Sequence, residues 1–156
     1  MALRKIRSIG DSCLGKKCRE VDKFDSRLHT LIDDMRETLL YADGMGLAAP
    51  QVGILKRVVV INAGEDNILE FVNPVMTEAV GSVIDAEACL SVPGKIGEVE
   101  RPQKVKITAF DRYGNEFSCE GEDLMARCMC HELDHLDGIL YTAKVIRYIE
   151  REEDEQ

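Results

Sequence analysis

Between Ser26 and Ala42 the apolar residues fall at Leu28, Leu31, Ile32, Met35, Leu39 and Leu40. Steps of three and four gather them into one stripe at 3.6 residues per turn, so the segment predicts an amphipathic helix. Asp25 or Ser26 stands where it can cap the first free N–H groups, and Asp43-Gly44 ends the pattern. The rhythm changes over Arg57–Asn62, where Val58, Val59, Val60 and Ile61 follow one another without a polar break. That predicts a strand buried on both faces. Leu69–Val75 and Val80–Ile84 predict further strands, broken at Asn73-Pro74 and at Gly81. Val105–Phe110 alternates, Arg112-Tyr113-Gly114-Asn115 turns, and Glu116–Cys119 returns, which is a hairpin pattern. A second helix is expected from about Glu122 to Leu136, with acidic residues in its first turn and Asp137-Gly138 closing it. Val145–Ile149 reads as a short last helix. Strands cluster with helices around them and do not alternate regularly with them, so the expected class is α+β. Small antiparallel or mixed sheets should pack around the second helix, with the amphipathic helix on the N-terminal side.

Composition narrows this picture. The 156 residues are 45% hydrophobic and 31% charged, enough apolar material for a core. No repeat or Pro/Gly/Ser-rich linker divides the chain, so residues 1–149 are expected to form one domain, followed by a frayed acidic tail over 150–156. No apolar run approaches the ~20 residues of a membrane span. The basic opening Met1-Ala2-Leu3-Arg4-Lys5-Ile6-Arg7 is not followed by the apolar segment of a secretory signal. The six cysteines are therefore expected to be reduced thiols in a cytoplasm. A net charge of -9 disfavours DNA as a partner, because phosphate contacts need a basic surface.

The chemistry is concentrated in His131-Glu132-Leu133-Asp134-His135. Four residues apart on a helix, the two imidazoles stack on one face and can share an ion. Glu132, beside the first, can reach a water on that ion without ligating it. Two of the chain's three histidines lie here, and His29, on the first helix, is expected to be structural or exposed. A hydrolytic metal needs a third protein ligand. Cys128 is excluded, because at 1.5 Å per residue it lies about 10 Å along the axis from His135. Cys13, Cys18, Cys89, Cys119 and several carboxylates remain open, with Cys89 favoured by its place beside Ser91-Val92-Pro93-Gly94, where a turn can present a side chain at a strand end.

A second segment, Gly44-Met45-Gly46-Leu47-Ala48-Ala49-Pro50-Gln51-Val52-Gly53, is small and apolar with one amide. It lacks the Lys-Ser/Thr of a phosphate loop. Its small residues suit a backbone approached closely by an extended peptide, and Gln51 is its only side chain able to donate to a developing oxyanion.

Three segments in order, Gly44 to Gln51, Glu87-Ala88-Cys89-Leu90-Ser91 and His131 to His135, resemble the three motifs of the peptide deformylases. The resemblance covers the chain from its opening residues to about Tyr141. It implies that Cys89, His131 and His135 hold one divalent metal, natively Fe²⁺ and replaceable by Ni²⁺, Co²⁺ or Zn²⁺, in the central helix. It further implies that Glu132 is the general base, and that Gln51 and the Leu90 N–H stabilise the oxyanion. Met45 and Gly46 would offer backbone partners to the substrate, with Leu124, Cys128 and Arg127 lining or rimming a methionine pocket. A Glu87–Arg101 pair would brace the cysteine segment. The implied reaction is removal of the formyl group from formylmethionyl nascent proteins in a bacterial cytoplasm, with a weak ribosome association through Lys144, Arg147 and Arg151. Two positions depart from the motifs. Ala88 replaces the usual Gly, which would strain a left-handed backbone, and Cys130 replaces the usual Gln.

Overall fold

The computed structural model describes residues 2–150. Helix α1 (Ser26–Ala42) is followed by strand β1 (Gly46–Ala48), a 3-10 turn over Ala49–Val52, and strands β2 (Val58–Asn62) and β3 (Ile68–Val80). Strands β4 (Val83–Cys89), β5 (Val92–Arg101), β6 (Lys104–Phe110) and β7 (Glu116–Glu122) come next, then helix α2 (Asp123–Leu136) and strand β8 (Val145–Ile149). A five-stranded sheet runs β1-β2-β3-β6-β7, and a three-stranded one runs β4-β5-β8. Every pairing is antiparallel. The class is α+β, as the pattern predicts.

The uninterrupted apolar run of β2 has a plain cause. Val58 and Val60 face a core shared with α1, while Val59 and Ile61 face a second core shared with α2. The strand is sandwiched, so neither face can be polar. Helix α1 starts where expected: the Asp25 side chain accepts from the Leu28 N–H, and Asp43 ends it in the left-handed region at φ 54. His29 is structural, its Nε2 lying 2.9 Å from the Arg112 carbonyl.

Two expectations are corrected. The Asn73-Pro74 break is instead a bulge inside one long strand, β3, with the register against β6 shifting between Val72 and Val75. Asn73 accepts φ 52 there, and its amide exchanges two hydrogen bonds with the Val21 backbone, at 2.8 and 2.9 Å. Val145–Ile149 is strand β8 rather than a helix, paired with β5. Five residues rich in β-branched and aromatic side chains cannot nucleate a stable helix alone, whereas β5 offers a free edge. Gly97 admits it: a β-carbon there would sit 2.7 Å from Val145 Cγ2. Of the expected acidic tail, only Glu150 is described; residues 151–156 lie outside the described residues. Among the described residues, no helix is long and apolar enough to cross a membrane.

Candidate metal centre

Helix α2 lies against the five-stranded sheet and presents His131, Glu132 and His135 to the gap between the two sheets, all three buried. Cys89 comes from the other side, at the end of β4. The thiol and imidazole ligand atoms of Cys89, His131 and His135 all lie within 4.8 Å of one another, and Cys89 Sγ is 3.4 Å from His135 Nε2. A tetrahedral ion with Zn-like bond lengths separates a sulfur and a nitrogen ligand by roughly 3.6 Å, so the three groups fit a single ion. Of the thiols that spacing left open, Cys89 is the one the fold brings to the two imidazoles.

What orients these ligands is Glu87. Its carboxylate receives Arg101 Nε at 2.7 Å and Nη2 at 3.0 Å, and Arg127 Nη1 at 3.1 Å. His131 Nδ1 lies 3.1 Å from its Oε2, which turns His131 Nε2 toward Cys89 and His135. Arg101 reaches on to Asp134 at 2.7 Å, closing the brace onto α2 itself. Burial pushes the Glu87 carboxyl up, but the bonds from His131 and Arg101 outweigh it and hold the group at about 2. Burial likewise opposes a charge on His131, yet the contacts to Cys89 and Glu87 prevail and raise it to about 10. No carboxylate pairs with His135 among the described residues; burial and the neighbouring His131 lower it to about 3. A ligating cation takes the place of the proton on such a pair.

Glu132 is buried, and among the described residues its Oε1 has no hydrogen-bond partner. Desolvation raises its carboxyl to about 7, where a general base is effective near neutral pH. Gln51, also buried, is aimed from both ends. The Ala48 N–H donates to Oε1 at 2.9 Å, leaving Nε2 to reach Ser91 Oγ at 3.1 Å and to lie 3.7 Å from Cys89 Sγ.

A cavity of about 540 Å³ opens over these groups. Met45, Gly46, Gln51, Leu90, Leu124, Arg127, Cys128, Cys89, His131 and Glu132 all line it, so the residues expected to ligate, catalyse or bind substrate, His135 excepted, meet the same space. Leu124 is 63% exposed at the mouth. Arg127 is buried, with its guanidinium directed at Glu87 and at the Val83 and Val99 carbonyls rather than at the rim. Ala88 lies outside the left-handed region and is exposed, so its methyl group strains nothing. Cys130 packs into the core behind the site. Sequence reasoning missed Tyr141, whose ring stacks on His131 with centroids 5.7 Å apart. No spacing signal marks a residue that reaches the site from beyond the helix. It also missed Ser91, though Ser91 stands in the same segment as Cys89.

Two imidazoles and a thiol on one side, and a desolvated carboxylate on the other, are the groups from which a mononuclear metallohydrolase centre is built. Comparison with known proteins narrows that class. The family described as Polypeptide deformylase matches residues 3–151. A peptide deformylase of Caldicellulosiruptor bescii is 60% identical over the whole chain and 93% of its own length. A crystal structure of a peptide deformylase from Legionella pneumophila superposes with TM-score 0.90 at 41% identity, over 92% of this chain and 86% of that one. One from Thermotoga maritima does so with TM-score 0.90 at 36% identity, over 93% and 99%. The chain belongs to the peptide deformylase family, hydrolases that remove the N-formyl group from nascent peptides in a metal-dependent reaction.

Proposed function

We propose that residues 1–149 act as one catalytic domain that hydrolyses the formamide of N-formylmethionyl nascent peptides, releasing formate, in the bacterial cytoplasm. The observation that carries this reading is the convergence of Cys89, His131 and His135 within 4.8 Å beside a buried carboxylate whose Oε1 has no partner among the described residues. Cys89, His131 and His135 would hold a divalent cation, Fe²⁺ natively and Ni²⁺, Co²⁺ or Zn²⁺ in its place, which would supply Lewis acidity and a more acidic water. Glu132 takes the proton from the attacking water. Gln51 Nε2 and the Leu90 N–H donate to the oxyanion that develops on the formyl carbonyl. Glu132 then returns the proton to the leaving amine, giving formate and a free N-terminus.

Met45 and Gly46 supply backbone partners for the peptide, and Leu124 and Cys128 line the pocket for the methionine side chain. Arg127 serves that pocket as part of its floor, its charge answered by Glu87. Association with the ribosome is weak in this reading. Lys144 is held by Asp134 at 3.0 Å and Arg147 by Glu98 at 2.9 Å, so neither is a free charge for RNA phosphates, and Arg151 lies outside the described residues.

Formate release from formyl-Met-Ala by the Fe²⁺-loaded protein, prepared without oxygen, tests the reading. Glu132→Ala should keep its metal content and lose ~10²- to 10⁴-fold in kcat. Turnover near wild type in that variant, or cleavage of internal peptide bonds without formate, would overturn it.

A further inference from the structure

The two oxyanion donors in this reading belong to different sheets. Gln51 follows β1 of the five-stranded sheet, while Leu90 follows β4 of the three-stranded one. Among the described residues, no backbone hydrogen bond joins the two segments directly. The Gln51 amide crosses between them through its side chain, to Ser91 Oγ at 3.1 Å, and the N-terminal stretch ties their backbones. The Arg7 N–H donates to the Gln51 carbonyl at 2.7 Å, and two residues on the Ile9 N–H donates to the Ser91 carbonyl at 2.8 Å.

The stretch is itself held in shape. The Asp11 N–H returns to the Ser8 carbonyl at 3.0 Å, with Gly10 at φ 101, which makes Ser8–Asp11 a type II turn with Ile9 in its second place. Asp11 receives Arg7 Nη1 at 3.1 Å and the Cys13 N–H at 3.2 Å, and Cys13 Sγ lies 3.3 Å from the Pro50 carbonyl. The Arg7 guanidinium lies over Gly53, where a β-carbon would meet Nη2 at 2.8 Å. Each end of the strap is therefore fixed next to one oxyanion donor.

We infer that Arg7 to Ile9 form a positioning strap, whose two backbone N–H groups set the distance between the Gln51 amide and the Leu90 N–H. The inference rests on the oxyanion role given to those two donors above. Ile9 affords a clean test, because the second place of a type II turn accepts proline and only the N–H is lost. The Ile9 side chain is 51% exposed, so Ile9→Ala keeps the N–H and serves as the conservative control.

The experiment measures kcat and KM for formyl-Met-Ala, metal content and thermal midpoint in four metal-loaded proteins: Ile9→Pro, Ile9→Ala, Gln51→Ala and the Ile9→Pro/Gln51→Ala double variant. Ile9→Pro should lose about tenfold or more in kcat, since small misplacements at a reacting centre are amplified, with KM and metal content unchanged. Ile9→Ala should behave as wild type. Once Gln51 is gone, adding Ile9→Pro should cost distinctly less than it does alone, because the strap acts through the spacing of two donors and one of them is already missing. Additive losses, equal losses in Ile9→Pro and Ile9→Ala, or an unchanged kcat in Ile9→Pro while Gln51→Ala is impaired would each overturn the strap. An unimpaired Gln51→Ala would instead overturn the oxyanion role on which it rests. A fall in thermal midpoint with kcat per bound metal intact would show a structural tie only, and that too sinks the inference.

Discussion

A methyl group at Gly46 has nowhere to go: its carbon would lie 2.6 Å from Glu132 Oε2 and 2.9 Å from Cys128 Sγ. Glycine there does not serve a left-handed backbone; it makes room for the base. Gly46→Ala should therefore push Glu132 aside and lower kcat/KM by ~10²-fold while the ion stays bound, read by steady-state kinetics against metal content. Gly44 is bound by the same logic from the other side, because Leu90 Cδ1 fills the space 2.7 Å from where its β-carbon would be. Glu87 answers two buried guanidinium groups and His131, so Glu87→Ala should cost about 3–5 kcal/mol in chemical denaturation. The pH dependence has a definite sign. The folded carboxyl sits at about 2 against 4.5 for a free one, so its contribution is complete above pH 4.5 and vanishes as pH falls toward 2. In the metal-free protein, Glu87→Gln should flatten the stability curve over that window. A curve as steep as wild type would place the acid sensitivity elsewhere.

Among the elements, the two helices and the buried strand β2 were legible because their periods are imposed by burial on known faces. Helix α2 needed only the spacing of His131 and His135 to declare its chemistry. Strand β8 was not legible, because five residues carry too little period, and its state is decided by the edge of β5. Nor was the bulge at Asn73, where the proline that suggests a break is absorbed by one left-handed residue with a side-chain amide. That amide is the local reason the chain can stay extended. Asn73→Ala should lose both bonds to Val21 and strain φ, a destabilisation of about 2–4 kcal/mol in chemical denaturation. The brace residues Asp134 and Arg127 were half legible. Both lie in the helix that carries the histidines, but their partners come from β4 and β5, and only the fold brings those strands alongside.

At the scale of the whole molecule, the proposed centre draws one ligand from the three-stranded sheet and two from the helix packed on the five-stranded one. Ion binding is therefore linked to holding the two halves together, as for any ligand bound only by the folded state. Chelation should lower the thermal midpoint by several degrees, and restoring Fe²⁺, Co²⁺, Ni²⁺ or Zn²⁺ should recover it. A midpoint indifferent to chelator would mean that the sheets do not need the ion to stay in register.

The chain has four tyrosines and no tryptophan, so its ultraviolet emission is tyrosine emission. Tyr41, Tyr113 and Tyr148 are exposed, while Tyr141 is buried and stacked on a histidine of the centre. The protein thus carries its own optical gauge of occupancy. Open-shell Fe²⁺, Co²⁺ and Ni²⁺ should dim the Tyr141 share of the signal, and closed-shell Zn²⁺ should leave it bright. In Tyr141→Phe that response should disappear, and the remaining glow would no longer tell a filled centre from an empty one.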